Sequence, residues 1–184
     1  MAGPSEADRG PIVERTPLVA PVSDAPWSDA FVAQALEVFL VCLRDAGLRE
    51  LRPIHAGSLR LGLAVGATPG DVVLGAVARY GLTPLVVHST SWRSEPGRVI
   101  LTYVAAVSAP DTLSPYLADD SIDRAGLARG EATAAPAAIA EAQVLEHAVR
   151  HLSWLVRDDP AVGAALAGWR PALDDYVPEP FRNL

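Results

Sequence analysis

Lysine is missing altogether: the 15 basic residues among 184 are all arginine. Without it no Walker A loop can place its ammonium on phosphates, and no Schiff-base or pyridoxal chemistry has an amine to use. Cysteine is nearly absent as well. The lone Cys42 can close no intramolecular disulfide and has no CxxC partner for zinc, and its position in the apolar run Val38 to Leu43 predicts a buried thiol. Aromatic residues make up only 6%. No run approaches the roughly 18 to 20 apolar residues of a membrane span. The opening MAGPSEADRG lacks the basic region and apolar core of a signal peptide. These absences lead us to expect a cytoplasmic chain with no membrane partner. Clustered basic charge is missing too: the arginines are scattered among 22 acids at a net charge of −7, which argues against a nucleic-acid footprint.

The lysine loss, the single asparagine (Asn183) and the abundance of alanine, glycine and proline share a cause if the gene is GC-rich, which points to a bacterial source. Half of the residues are apolar. A chain of this length buries roughly 70% of its unfolded surface, enough for a core without staples. The expectation is one soluble domain over 27–170, preceded by an extended proline-bearing tail over 1–26 and followed by a proline-bearing tail over 171–184, with Tyr176 and Phe181 as anchors.

Helical spacing of Phe31, Ala35, Val38 and Cys42, with Trp27 and Ser28 placed as staple and N-cap, predicts a helix over 29–46. The run ALEVFLVCL also suits a buried strand, because a short apolar run is ambiguous by periodicity. Strands are expected at 48–54 and 58–66. In the second, Leu59, Leu61, Leu63 and Val65 alternate with Arg60, Gly62, Ala64 and Gly66, and the small residues suggest a helix or a ligand packed against that face. Thr68, Pro69 and Asp71 start a helix that runs to Tyr80 and ends at Gly81-Leu82, with Gly75 inside it pointing to close packing. A hairpin joins 85–92 to 98–107 through Glu95-Pro96-Gly97. Residues 109–135 read as a long surface connection, and 136–157 as a long helix followed by a short one from Asp159. The fold class is therefore α+β: a mostly antiparallel sheet of about four to six strands packed by three main helices.

Few residues suggest chemistry. His147 and His151 stand at i and i+4, the spacing at which two imidazoles share a metal, but Glu146 precedes the first rather than following it as H-E-x-x-H requires, and Arg150 would repel a cation. Metal is therefore not expected. The stretch His88-Ser89-Thr90-Ser91-Trp92 is the most polar part of any expected strand. Strict alternation would place His88, Thr90 and Trp92 on one side, and with Tyr103 they form the candidate ligand-binding surface. No G-x-S-x-G elbow accompanies them.

From 58 to 107, about a quarter of the chain, the order strand, glycine-bearing loop, short helix closed by Gly81-Leu82, strand LVVHSTSW and strand RVILTYVAAV resembles the second half of a Nudix domain. That family holds Mg²⁺ on the glutamates of G-x5-E-x7-R-E-U-x-E-E-x-G-U. With Gly81-Leu82 as the anchor, the glutamate positions fall on Gly66, Gly75, Ala78 and Arg79 and the arginine position on Leu74, so no metal ligand is carried over. What the resemblance implies is a Nudix-like αβ sandwich without the hydrolytic residues: a binding or interaction module that needs no cofactor. Two alternatives stand beside it. One is a Mg²⁺-dependent hydrolase of a nucleotide or related diphosphate, drawing acids from Asp71, Glu95 or Asp119 to Asp123; the other is an oligomeric, chaperone-like partner protein using the long helix as its contact.

Overall fold

The computed structural model describes residues 33–54, 56–95, 97–122 and 139–176. The proline-bearing first tail, Trp27, Ser28 and Phe181 lie outside them. Six strands form one sheet: β1 (Ala33–Arg44), β2 (Gly47–Pro53), β3 (Leu59–Leu63), β4 (Pro84–Glu95), β5 (Arg98–Val107) and β6 (Leu117–Ser121), in the order β4-β5-β1-β2-β6 with β3 also on β1. Every pairing is antiparallel except β1 with β5. Helix α1 (Pro69–Arg79) covers one face, and α2 (Glu141–Asp158), α3 (Pro160–Ala165) and α4 (Arg170–Leu173) cover the other. The α+β class and mostly antiparallel sheet hold.

The helix expected over 29–46 is instead β1, the central strand. Its even residues Leu36, Val38, Leu40 and Cys42 pack with Val73, Ala76 and Val77 of α1, while Phe39 and Val41 pack with Val144, Leu145, Ala148, Val149 and Leu152 of α2. A strand covered on both faces reads as a continuous apolar run, and such a run mimics a buried helix. Among the described residues there are therefore two main α-helices and two short ones, not three main ones. Cys42 is buried, as expected, and burial pushes its thiol up.

The β1–β2 connection is a two-residue turn, Asp45-Ala46, with φ of 51° and 62°. Hairpin turns of this handedness favour Asn-Gly because both central residues need positive φ. Alanine in that place hides the turn and adds strain. A second surprise is β6, which lies inside the stretch expected to be a surface connection. Asp119 bonds Arg44 and Arg49, the latter at 2.6 Å, and Asp120 bonds Arg52 at 2.7 Å, so the acidic run is a paired edge strand. Residues 123–138 lie outside the described set.

The remaining described elements lie close to where they were expected. Strands β2, β3, β4 and β5 and helices α1 and α2 fall within a few residues of their expected ranges. The C-terminal segment is not wholly tail: α4 packs there, and Tyr176 is buried as its anchor. Asp159 caps α3 through the amides of Ala161 (2.8 Å) and Val162 (3.2 Å). No described helix is long and apolar enough to cross a membrane.

Glycine and alanine stand in each other's best positions at two sites. A side chain at Gly75 would meet no heavy atom within 4 Å, so the close packing expected around it is absent. Gly75→Ala should raise stability by about 1 kcal/mol from helix propensity alone, and Ala46→Gly by a similar amount from relief of positive φ, about 1 kcal/mol. Each corresponds to a melting-temperature rise of about 2 to 4 °C in a domain of this size. No rise for either by thermal denaturation would overturn the corresponding assignment.

Candidate functional site

Glu37 is the only charge in the β1 apolar run, and it is buried. It sits among the residues facing α2, where two guanidiniums reach it. Arg93 of β4 forks onto both carboxylate oxygens, with Nη2 to Oε1 at 2.9 Å, and Arg60 of β3 reaches Oε1 at 3.1 Å. Ser58 donates to the same oxygen at 3.0 Å. Burial pushes the Glu37 carboxyl up, but the arginines and Ser58 more than offset that and hold it below its usual value. Glu95 extends the network through Arg98 at 2.9 Å and Arg93 at 3.6 Å.

This network borders a fork in the sheet. On one edge, β1 is shared: Val38 pairs with Leu59 of β3 and Leu40 with Leu51 of β2, so the two strands part at Phe39. A cleft of about 490 Å³ opens there, lined by Pro53, Gly57, Ser58, Arg60, Tyr80 and Glu141 among others. Its walls come from both layers, since Tyr80 closes α1 and Glu141 opens α2. Behind Glu141 lies Glu50, whose carboxyl is pushed up to about 7 by burial first and by the Glu141 charge second. Gly57 faces the Glu141 carboxylate so closely that an added Cβ would lie 2.4 Å from Oε2.

The surface expected from His88, Thr90, Trp92 and Tyr103 divides between the two faces of the sheet. Ser89 pairs with Tyr103 and Ser91 with Thr102, so Thr90 is an extra residue, a bulge, and alternation inverts past it. His88 therefore faces α2, whereas Trp92, 70% exposed, lies with Tyr103 on the α1 side. Thr90 is buried and donates to the Thr102 carbonyl at 3.4 Å. Among the described residues no helix crosses the small face of 58–66, and an added Cβ at Gly62 meets no heavy atom within 4 Å.

His88 instead meets the helical pair. Ring centroids are 5.8 Å apart for His88 and His151, and 4.7 Å for His147 and His151, with Trp154 beyond at 6.3 Å. Burial lowers the pKa of all three imidazoles, and the neighbouring histidines help push His151 down to about 4. Among the described residues, no three histidine, cysteine or acidic groups are arranged to hold a metal ion. The acids considered for a hydrolase do not converge: Glu95, Asp119 and Asp120 are held by arginines, and Asp71 is exposed in the first turn of α1. Asp123 is outside the described residues.

Sequence reasoning missed the Glu37 network and the fork cleft. The available signal was Glu37 itself, a carboxylate inside a nine-residue apolar run that must find a cation once buried.

A three-layer sandwich with a mixed-charge cleft at a strand fork is thus the class that fold and site define. No family model matches the chain, and no curated protein matches it. A crystal structure of a MutT/Nudix family protein from Enterococcus faecalis aligns with 73% of this chain and 67% of that one, at 14% identity and a TM-score of 0.48. Likeness at that level fixes neither ancestry nor activity.

Two consequences can be measured. Arg93→Ala leaves the buried Glu37 with one partly exposed cation and should cost about 3 kcal/mol, whereas Arg60→Ala should cost less than about 1 kcal/mol because Arg93 remains; equal losses in urea unfolding would refute this ranking. Histidine titration gives the second. His151 falls in the folded state from its ordinary 6.5 to about 4, so its contribution is complete above the unfolded value and is lost as pH falls through that window. His151→Phe should flatten the acid side of the stability profile, and an unchanged slope would exclude His151 as its source.

Proposed function

We propose that this chain is a small-ligand-binding module and that its site is the fork cleft. The observation that carries the reading is the cleft itself: its volume falls in the range of small-molecule sites, and it combines apolar walls with a few polar groups from separate elements. No metal is required for binding. The long helix α2 spends Val144, Leu145, Ala148, Val149, Leu152 and Val156 on the sheet and leaves Trp154 as its large exposed apolar residue, which supports ligand binding over a chaperone-like contact along the helix.

Gly57→Val provides the test, because Gly57 is exposed and carries no positive φ, and the nearest atoms a side chain there would meet are the flexible carboxylate end of Glu141. A ligand at 100 times its dissociation constant adds about 2.7 kcal/mol, or roughly 5 to 10 °C. In a thermal-shift panel, stabilising compounds should lose that shift in Gly57→Val while the unliganded protein melts unchanged. Shifts that persist in the variant would place binding elsewhere.

One observation favours a catalytic second reading. Burial and the Glu141 charge push the Glu50 carboxyl up to about 7, within reach of proton transfer at neutral pH. Mg²⁺-dependent hydrolysis of a nucleoside diphosphate, abolished in Glu50→Gln, would replace the binding reading.

A further inference from the structure

We infer that the ligand of the fork cleft is a zwitterion, a compound of amino-acid or short-peptide type whose anionic group meets Arg60 and whose ammonium meets Glu141. This rests on the cleft being the binding site.

The charges around the cleft are unbalanced in opposite senses, positive among the β3 and β4 residues and negative beside α2. Beside β3 and β4, the carboxylates of Glu37 and Glu95 face the guanidiniums of Arg60, Arg93 and Arg98, so one positive charge is in surplus. Arg93 already forks onto Glu37 and is the less exposed of its two arginines. The surplus therefore belongs to Arg60, which is 48% exposed and lines the cleft. A guanidinium in that state can add a carboxylate on its free edge.

Beside α2 the imbalance is negative. Glu141, Glu50 and Asp120 act on one another around Arg52, whose guanidinium is taken by Asp120 at 2.7 Å, while the next cation, Arg49, is bonded to Asp119. Glu141 lines the cleft and is exposed, and Arg60, the cation among the lining residues, pairs with Glu37 and Glu95 instead of with it. In the same lining, Pro53, Leu59 and Tyr80 offer apolar surface for a side chain. A purely anionic ligand would satisfy Arg60 but would bring like charge to Glu141 and Glu50, and a purely cationic one would do the reverse at Arg60.

Calorimetric titration of the full chain tests the inference with probes that share a phenyl group: L-phenylalanine and glycyl-L-phenylalanine as zwitterions, 3-phenylpropionate with only the carboxylate, and phenethylamine with only the ammonium. At least one zwitterion should bind tenfold or more tightly than either single-charge probe, a gap of about 1.4 kcal/mol. Arg60→Ala should erase its advantage over phenethylamine, Glu141→Gln its advantage over 3-phenylpropionate, and Gly57→Val should abolish binding of both zwitterions.

If a single-charge probe binds as well as the zwitterions and Gly57→Val abolishes it, the zwitterion inference fails while the cleft survives as a site. Binding that Gly57→Val leaves intact overturns both. If no probe of the four binds, the zwitterion inference is overturned, and the wider thermal-shift panel with the same variant judges the cleft separately.

Discussion

Everything in this fold depends on β1 being bonded along both edges and covered on both faces. Parallel β5 occupies one edge, and β2 and β3 divide the other. Helix α1 covers one face and α2 the opposite one. A strand so enclosed has no solvent side, so all its side chains but one are apolar or small from Ala35 to Cys42. The exception, Glu37, imposes the second constraint. A buried carboxylate is tolerated only with cations and hydrogen-bond donors around it, and Ser58 and Arg60 supply them beside β1 while Arg93 reaches across β5 from β4.

The fork and the cleft follow from the same strand. Twelve residues of β1 exceed what either β2, with seven, or β3, with five, can pair. Two partners must therefore share the edge, and the chain between them has to leave the sheet. That departure opens the cleft, and Arg60, which borders it, also reaches the Glu37 carboxylate. Site and core are electrostatically joined at Arg60.

The charged and histidine clusters bear opposite relations to pH. Glu50 is kept near neutral titration by burial beside another acid, whereas His151 is kept neutral by burial beside other imidazoles. Raising pH opposes the first and favours the second. The two groups lie on different elements, β2 and α2, so the face between sheet and helix carries both dependences.

The sequence alone determined the local features: α1 from its Thr68-Pro69 start and glycine close, the alternation of β3, the β4–β5 hairpin, and the apolar stripe of α2. Each rests on interactions within a few residues, and periodicity and turn chemistry report those directly. It also excluded chemistry, since lysine-dependent mechanisms need no structure to be ruled out. What only the tertiary structure decided has a common cause in partners distant along the chain. The apolar run of β1 became a strand because α1 and α2 cover both its faces. The acids of β6 became an edge strand because Arg44, Arg49 and Arg52 lay opposite. The bulge at Thr90 turned Trp92 away from His88, and no alternation pattern can reveal an extra residue before its partner strand is known. The fork cleft belongs with these, because Gly57, Arg60, Tyr80 and Glu141 are brought together by sheet pairing and helix packing, not by any spacing in the sequence.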